Sequence, residues 1–232
     1  MVEIKLKKGK EKAVLQRHPW VFSGALDKIK GKPENGDVVK VVNANNDFLA
    51  YGYFNDQSRV AIRLLEWNEN ISIDEAWYTQ KINTAITSRT HLLTKDTNTY
   101  RLIFSEADFL PGLIVVKTLQ PKGIFDRSDA TARTHEGITA ENGLLWGETP
   151  SAFIAVKENG ISYHINIAEG QKSGFYCDQR DNRQILATYA KDKNVLDCFS
   201  YSGGFSLNAL KQGANEVTSV DSSALAIETL KQ

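Results

Sequence analysis

Two acidic residues and a pair of glycines near residue 200 have the types and spacing of a nucleotide-type ligand site. Asp197 follows a short apolar run, Gly203 and Gly204 open a helical pattern, and Asp221 follows the next apolar run. In α/β folds, glycines after the first strand let a ligand approach the backbone, and an acid after the second strand accepts hydrogen bonds from ribose hydroxyls. The pattern predicts a nucleoside-containing cofactor. A parallel βαβ unit with purely structural glycines is the alternative.

Two details distinguish this pattern from a dinucleotide site. The turn reads SGGF at residues 202–205 and lacks the G-x-G-x-x-G spacing that places a pyrophosphate at a helix N-terminus. In addition, Asp197 would repel a pyrophosphate but attract a ligand with an amino group and a sulfonium. S-adenosylmethionine (SAM) has both groups and no phosphate. The prediction is therefore a SAM site, and a nicotinamide-dependent oxidoreductase is disfavoured.

The surrounding sequence predicts the alternation of an α/β fold. We expect helices over residues 178–191, 205–211 and 222–232, and strands over 194–199 and 216–221. Ser222 or Ser223 is the expected cap of the last helix. Two parallel strands cannot bury both faces of a sheet, so a Rossmann-like domain is expected to be incomplete within these 232 residues.

The upstream residues predict two further domains. Short apolar runs at 38–42, 48–53 and 60–65, separated by turn residues, predict a small β-barrel over residues 1–68. A helix near Asp74, capped by that residue or Ser72, and strands between residues 100 and 170 predict a central α+β domain over 69–168. Asn159-Gly160 is the expected hairpin turn in this domain. The Rossmann-like domain would occupy 169–232.

Composition excludes several classes of protein. The chain has 41% hydrophobic and 24% charged residues, which is ordinary for a globular protein. No apolar run approaches the ~20 residues of a membrane helix. Two cysteines and four scattered histidines provide neither a disulfide framework nor a metal site. We therefore expect a cytoplasmic protein that binds neither membrane nor metal.

The N-terminal segment is basic although the net charge of the chain is zero. Residues 1–32 contain nine Lys or Arg against three acids. Such a patch can attract phosphate backbones, although a merely solvated face is the alternative. Lys7, Lys8 and Arg17 are the predicted phosphate contacts. For the nearby Trp20 and Phe22 we favour a place in the barrel core over base stacking.

Two long motifs carry a family resemblance. Residues 170–183 (GQKSGFYCDQRDNR) and 195–206 (VLDCFSYSGGFS) resemble the signature elements of the ribosomal RNA large-subunit methyltransferases whose founding members make 5-methylcytosine in 23S rRNA. Residues 17–25 resemble the RNA-binding PUA domain of that family, and residues 105–114 and 121–129 resemble its central domain. The resemblance covers nearly the whole chain.

The resemblance implies a SAM-dependent methyltransferase that acts on a base of 23S rRNA, at cytosine C5, and that could be a homodimer. A non-catalytic RNA-binding protein that retains the SAM-binding fold is the alternative. The implied cofactor contacts are Asp197, Ser200, Tyr201 and Gly203 in the first loop, Asp221 at the ribose, and Phe175, Gln179 and Arg180 at the methionine side. Arg183 is a weaker candidate, since it could equally be a surface or ion-pair residue.

Two departures from the family limit what can be assigned. The acceptor-base motif and the cysteine nucleophile, which would add to C6 of the base, are expected beyond residue 232. Cys177 and Cys198 are expected to be small packing residues, so no catalytic residue is named. The connection at residues 117–120 is also shorter than in the family, which indicates a deletion or an incomplete sequence.

Overall fold

The computed structural model describes residues 1–118, 122–127, 130–139 and 142–232. The described residues form two compact units. Unit 1 takes them from Met1–Ser88, Ile103–Val115 and Ser128–Glu141, and unit 2 from Arg89–Leu102, Val116–Arg127 and Asn142–Gln232. Part of the short connection at 117–120 and part of the motif at 121–129 lie outside the described residues.

Unit 1 is built on a six-stranded mixed sheet. Its strands are β1 (Glu3–Leu6), β2 (Trp20–Phe22), β3 (Leu26–Lys30), β4 (Val38–Val42), β5 (Phe48–Phe54) and β6 (Val60–Glu66). Their order across the sheet is β2-β6-β5-β4-β1-β3. The pair β1 and β4 is parallel, and the other pairs are antiparallel.

The connection between β2 and β3 shows that this sheet curls. The two strands lie at opposite ends of the order, yet only the short turn Ser23–Ala25 joins them. Opposite ends of a flat six-stranded sheet would lie about 24 Å apart. Four residue steps span at most about 14 Å. The sheet must therefore bend back on itself, in agreement with the predicted barrel.

The core of unit 1 lies inside this curled sheet. Alternate residues of the strands, such as Ile4, Val39 and Val41, are fully buried. The short helix α1 (Lys12–Leu15) adds the buried Val14. Helix α2 (Glu75–Arg89) begins as predicted, because the backbone N–H of Trp77 donates to Oδ1 of Asp74 at 3.0 Å.

Unit 2 contains a hairpin and a parallel strand pair. Strands β11 (Ile154–Glu158) and β12 (Ile161–Ile165) form the predicted antiparallel hairpin. Asn159 and Gly160 both have positive φ, 50° and 75°, as a tight turn of this kind requires.

The elements between α2 and this hairpin are β7 (Thr99–Phe104), β8 (Ile114–Thr118), β9 (Gly123–Asp126), α3 (Ala130–His135) and β10 (Gly143–Gly147).

The predicted α/β alternation is present at the C-terminal end. Its elements are α4 (Arg180–Ala187), β13 (Asn194–Asp197), α5 (Gly204–Lys211), β14 (Glu216–Ser219) and α6 (Ala224–Lys231). Strands β13 and β14 are parallel, and Asp197 lies opposite Ser219. The side chain of Ser223 caps α6 by accepting from the backbone N–H of Ala226 at 3.2 Å, as expected.

Several predicted elements are shorter in the structure, among them the strand expected over 216–221, which ends at Ser219. The helix expected over 178–191 is a 3-10 turn (Cys177–Gln179) followed by α4, which ends at Ala187. The strand expected to reach Phe199 ends at Asp197, because the strand pairing runs only to Ser219 of β14. Phe199 is 89% exposed. Among the described helices, none is long and apolar enough to cross a membrane.

Candidate cofactor site

The structure brings Asp197 and Asp221 to the same edge of the parallel strand pair. Asp197 ends β13, and Asp221 follows the end of β14 by two residues. The backbone N–H of Val220 donates to the carbonyl of Asp197 at 2.8 Å, and the N–H of Ser200 donates to the carbonyl of Val220 at 3.1 Å. The two loops that follow the strands are therefore held side by side.

The Asp221 carboxylate connects the two loops. Its Oδ2 accepts from the backbone N–H of Tyr201 at 2.9 Å, and its Oδ1 accepts from the N–H of Ser223 at 2.9 Å. Each carboxylate oxygen has a second lone-pair site. The half-buried carboxylate can therefore hold the loop and still accept from ligand hydroxyls.

The Asp197 carboxylate is oriented by two serines. Its Oδ2 accepts from the hydroxyl of Ser206 at 2.7 Å, and that hydroxyl lies 2.7 Å from the hydroxyl of Ser219. Ser206 is buried. In the described part of the chain, neither Asp197 nor Asp221 forms an ion pair, so both negative charges remain available to a cationic ligand.

The glycine pair packs closely against its neighbours. Gly203 has φ +78°, and a Cβ atom there would lie 2.0 Å from Cδ1 of Leu230. A Cβ atom at Gly204 would lie 3.0 Å from Cδ of Arg183. Gly203 is thus required both by its backbone conformation and by the approach of α6.

Ser200 and Tyr201 have features that favour a ligand at this loop. Ser200 is 4% exposed, and within the described residues its hydroxyl has no hydrogen-bond partner. Tyr201 has φ +46°, which is strained for a non-glycine residue. Its hydroxyl donates to the carbonyl of Gly174 at 3.2 Å. A buried hydroxyl without a partner is uncommon, and a bound ligand would satisfy it.

A small hollow of about 40 Å³ adjoins this loop. It is lined by residues 169–171, Tyr201 and the start of α6, including Ser223 and Ala226. This volume holds about one water molecule or a terminal ligand group. Sequence reasoning missed Glu169, Gln171 and the α6 residues as lining, although the first two lie within or next to the 170–183 motif.

The predicted methionine-side residues are engaged in local contacts. The Phe175 ring is buried in a cluster with Val156, Tyr163 and Ile165, so its side chain packs the core. Oε1 of Gln179 accepts from Asn182 Nδ2 at 3.0 Å. The structure does not bring the Phe175 ring to the strand-end loops, and only its backbone remains as a means of ligand contact.

Arg180 and Arg183 differ sharply in environment. Nε of Arg180 pairs with Asp181 at 3.0 Å near the surface. Arg183 is 2% exposed and forms a two-point ion pair with Glu158, at 2.9 Å for each bond. Of the two roles considered for Arg183, the structure shows the ion pair.

The two cysteines have different surroundings. Burial raises the pKa of Cys177 to about 11, with the Glu158 carboxylate adding to the rise, so its thiol stays protonated at neutral pH. Cys198 is exposed and follows the end of β13. The expectation that Cys198 is a packing residue was wrong. The described residues contain no group of three potential metal ligands.

The predicted phosphate contacts in unit 1 are exposed. Lys7, Lys8 and Arg17 all face solvent. The Lys7 ammonium donates to the carbonyl of Gly24 at 3.0 Å, and the Arg17 guanidinium lies 5.1 Å from the centre of the Trp67 ring. These residues carry charge at the surface, as RNA contact would need.

Trp20 and Phe22 do not fill the barrel core. They are 39% and 50% exposed, whereas Val21 between them is 3% exposed. Side chains of a strand alternate between its two faces, so a buried Val21 places both aromatic rings outside. The favoured core interpretation of these two residues was wrong.

Comparisons with known proteins agree with the two-part architecture. A model of a PUA-like domain family matches residues 4–67. A model of a family described as S-adenosylmethionine-dependent methyltransferases matches residues 107–229, more than half of the chain.

Curated relatives match along almost the whole sequence. Ribosomal RNA large subunit methyltransferase I of Aliivibrio fischeri (strain MJ11) is 39% identical over 258 residues, which cover 99% of this chain and 65% of the relative. The Tolumonas auensis protein of that name is 37% identical, and the match covers 97% of this chain and 64% of that relative. The Escherichia coli (strain SMS-3-5 / SECEC) protein is 36% identical and covers 100% and 65%. The chain thus spans about 65% of the length of these relatives.

Two solved structures share the fold. One, described as a SAM-dependent methyltransferase from Streptococcus mutans, has a TM-score of 0.78 at 20% identity and covers 100% of this chain and 66% of that chain. The other, described as a methyltransferase complexed with SAH, has a TM-score of 0.80 at 21% identity and covers 100% and 65%. Together with the family matches, these likenesses confirm the predicted fold class: a PUA-like barrel followed by a Rossmann-like methyltransferase fold.

Proposed function

Because the chain belongs to the S-adenosylmethionine-dependent methyltransferase family, we propose that the edge formed by the ends of β13 and β14 binds SAM. Bound SAM supplies an electrophilic methyl group on a sulfonium, and the protein supplies binding and orientation. Asp221 would accept the ribose hydroxyls, and Asp197 would attract the positive charge. The observation that carries this proposal is the pair of carboxylates beside the partnerless hydroxyl of the buried Ser200.

The remaining proposed cofactor contacts lie in the loop after β13 and in the 170–183 motif. Tyr201 and Gly203 shape the loop between the carboxylates, which supports a role in closing on the cofactor. Gln179 and Arg180 lie at the start of α4, where the resemblance puts the methionine side. For Phe175, whose ring is buried, we propose a contact through the backbone only.

The proposed substrate is a base of large-subunit ribosomal RNA. The relatives' names and the two long motifs support an rRNA methyltransferase, and the motifs support cytosine C5 of 23S rRNA as the acceptor atom. The exposed Lys7, Lys8 and Arg17 would contact phosphates. We also propose that the protein is cytoplasmic and can form a homodimer. The proposed domain limits are 1–68, 69–168 and 169–232, and the PUA-like match supports the first of these ranges.

Calorimetric titration with SAM, SAH and NAD tests the cofactor. We expect SAM and SAH to bind and NAD not to, and Asp221→Asn to weaken binding about tenfold or more, because hydrogen bonds to a charged group are lost. Asp192→Asn is the matched control, since Asp192 is exposed and precedes β13 at its opposite end. Preferential NAD binding, or an equal effect of the two variants, would contradict the proposed site.

Methyl transfer tests the reaction separately. The native protein with SAM labelled on the methyl group should label 23S rRNA, and the modified nucleoside should be 5-methylcytosine. Label at another base or atom would correct the acceptor only. SAM binding without transfer to any RNA would instead support the non-catalytic RNA-binding alternative.

A further inference from the structure

Strand β2 presents two aromatic side chains outward at the end of the sheet. Trp20 and Phe22 occupy the outer face of the strand, on either side of the buried Val21. The strand pairs with β6 and is the last in the order of the sheet. Neighbouring exposed aromatic rings on a terminal strand form an apolar surface, and such surfaces usually mark binding sites.

The Trp20 ring is fixed in position before any ligand binds. Its Nε1–H donates to Oε1 of Glu106 at 2.9 Å, and its backbone N–H donates to Nδ1 of His18 at 3.2 Å. The His18 ring also packs edge-on against it, with ring centres 6.0 Å apart. A side chain that is already immobilised loses little conformational entropy on binding, which favours its use as a contact.

A positive charge near these rings suits an anionic polymer. The Lys7 ammonium is held at the carbonyl of Gly24, two residues after Phe22. Residues 1–32 as a whole have an excess of basic residues. Glu136 pairs with Arg63, so these two charges offset each other, and Glu106 contributes a carboxylate that accepts from the Trp20 ring.

The relative orientation of the rings indicates the form of nucleic acid. The planes of Trp20 and Phe22 are perpendicular, at 90°, with centres 6.5 Å apart. Successive bases in a duplex are parallel and stacked on each other, whereas single-stranded segments can place their bases apart on separate aromatic side chains. Two perpendicular platforms therefore fit bases that are unstacked from each other.

We propose that the outer face of β2, formed by Trp20 and Phe22, stacks two unstacked bases of single-stranded RNA while Lys7 contacts the backbone. This inference rests on the proposed function, in which RNA is the substrate. It adds to that function a preference for an unpaired segment near the target. Stacking on an aromatic side chain tolerates any base, so the surface should select for single strands and not for sequence.

Fluorescence anisotropy with labelled oligoribonucleotides tests the proposal. The protein should bind a single strand more tightly than the duplex of the same sequence. Trp20→Ala and Phe22→Ala should each weaken single-strand binding by about five- to 100-fold, the range measured for losing one stacked base. Trp146→Ala is the matched control, since Trp146 is 60% exposed in β10 of unit 2. Trp20→Phe should restore most of the affinity, because it restores an aromatic face.

An abasic oligomer separates stacking from folding defects. It keeps the phosphates but has no bases, so wild type and Trp20→Ala should bind it equally. An equal loss on abasic and normal RNA, or tighter binding of the duplex, would overturn the stacking proposal. Unchanged single-strand affinity in both alanine variants would also overturn it while leaving the RNA substrate intact. If the wild-type protein binds no RNA, both the stacking proposal and the proposed RNA substrate are overturned. The proposed SAM site is tested separately by the SAM titration.

Discussion

Arg183 and Glu158 form a buried ion pair within unit 2. Nε and Nη2 of Arg183 each donate to a carboxylate oxygen at 2.9 Å, and the two side chains are 3% and 1% exposed. Nη2 also donates to the carbonyl of Tyr176 at 3.0 Å, and the guanidinium lies 4.6 Å from the centre of the Phe175 ring. Since Arg183 also packs against Gly204, the pair joins the hairpin, the 170–183 motif and the Gly203-Gly204 turn.

Replacing Arg183 alone should be strongly destabilising. Arg183→Met leaves the Glu158 carboxylate buried without a partner, so we expect a loss of about 3–5 kcal/mol in urea unfolding. The double variant Arg183→Met, Glu158→Met should recover much of this loss, because an apolar pair has no charge to desolvate. Arg180→Met, at the more exposed pair with Asp181, should cost under about 1 kcal/mol. Equal losses of stability from Arg183→Met and Arg180→Met would show that burial of the Arg183 pair is not what makes it important.

A side chain at Gly203 should be more costly than one at Gly213. Both glycines have positive φ, 78° and 93°, but only at Gly203 would Cβ meet Leu230 at 2.0 Å; at Gly213 the nearest atom is 3.8 Å away. We expect Gly213→Ala to cost about 1 kcal/mol and Gly203→Ala about 2–4 kcal/mol in thermal unfolding. In a Leu230→Ala background, the extra destabilisation by Gly203→Ala relative to Gly213→Ala should be smaller. If it is not smaller, contact with Leu230 of α6 does not cause the extra loss of stability.

The two thiols should react at very different rates. Cys198 is exposed, whereas Cys177 is partly buried with a pKa raised to about 11 by burial and by Glu158. At pH 8 only about one Cys177 thiol in a thousand would be the reactive thiolate. With a thiol-specific chromogenic reagent, Cys177→Ser should keep the fast-reacting group and Cys198→Ser should lose it. Two fast groups in the wild type would show that Cys177 is less protected.

Acid should remove the stabilisation that Glu66 provides to unit 1. Burial by itself raises the pKa of Glu66, but donors from Trp77, Lys81 and the backbone outweigh it, and the pKa lies below its ordinary value. The ionised form is therefore favoured in the folded state. Stabilisation is present above the unfolded pKa and is lost as pH falls through the lower, folded value.

This pH dependence can be measured with Glu66→Gln. At pH 7 the free energy of unfolding of the variant should be about 1–2 kcal/mol lower than that of the wild type, since a charged acceptor of several hydrogen bonds is lost. The difference should shrink as the pH falls from about 4.3, the ordinary value for glutamate, through the lower folded value of Glu66. If the difference in unfolding free energy stays constant down to pH 2, ionisation of Glu66 does not stabilise unit 1.

Salt should weaken RNA binding through the basic N-terminal residues. Each phosphate contact to a single strand contributes about 0.7 to the slope of log affinity against log salt concentration. Lys7→Ala, Lys8→Ala and Arg17→Ala should each lower that slope by about this amount in binding titrations. Lys193→Ala, at an exposed residue of unit 2, should leave it unchanged. A response to salt that is flat in the wild type would exclude electrostatic binding.

Local chemistry made several features of the fold predictable. The Asn159-Gly160 turn, the Asp74 and Ser223 caps and the strand-turn-helix unit around Gly203 depend on residues that are close in sequence. Turn and cap preferences describe such interactions directly. This is also why Asp197 and Asp221 could be expected at one edge, since parallel neighbouring strands end on the same side.

Features that depend on tertiary contacts were not predictable. In the three-residue strand β2, either alternation buries an apolar side chain, so the sequence cannot tell whether Val21 or its aromatic neighbours face the core. The partner of Arg183 lies 25 residues upstream, and nothing local identifies Glu158 as that partner. The exposure of Cys198 is again a tertiary property, since it depends on which elements pack against the residue.

The strand order of unit 1 also constrains how the protein is made. On the ribosome, β1 is synthesised before its parallel partner Val38–Val42, and β2 before its partner Val60–Glu66. Pairings between segments so distant in sequence form slowly. Strand β2, which carries the two exposed aromatic residues, therefore leaves the ribosome before β6, the strand with which it pairs, has been made.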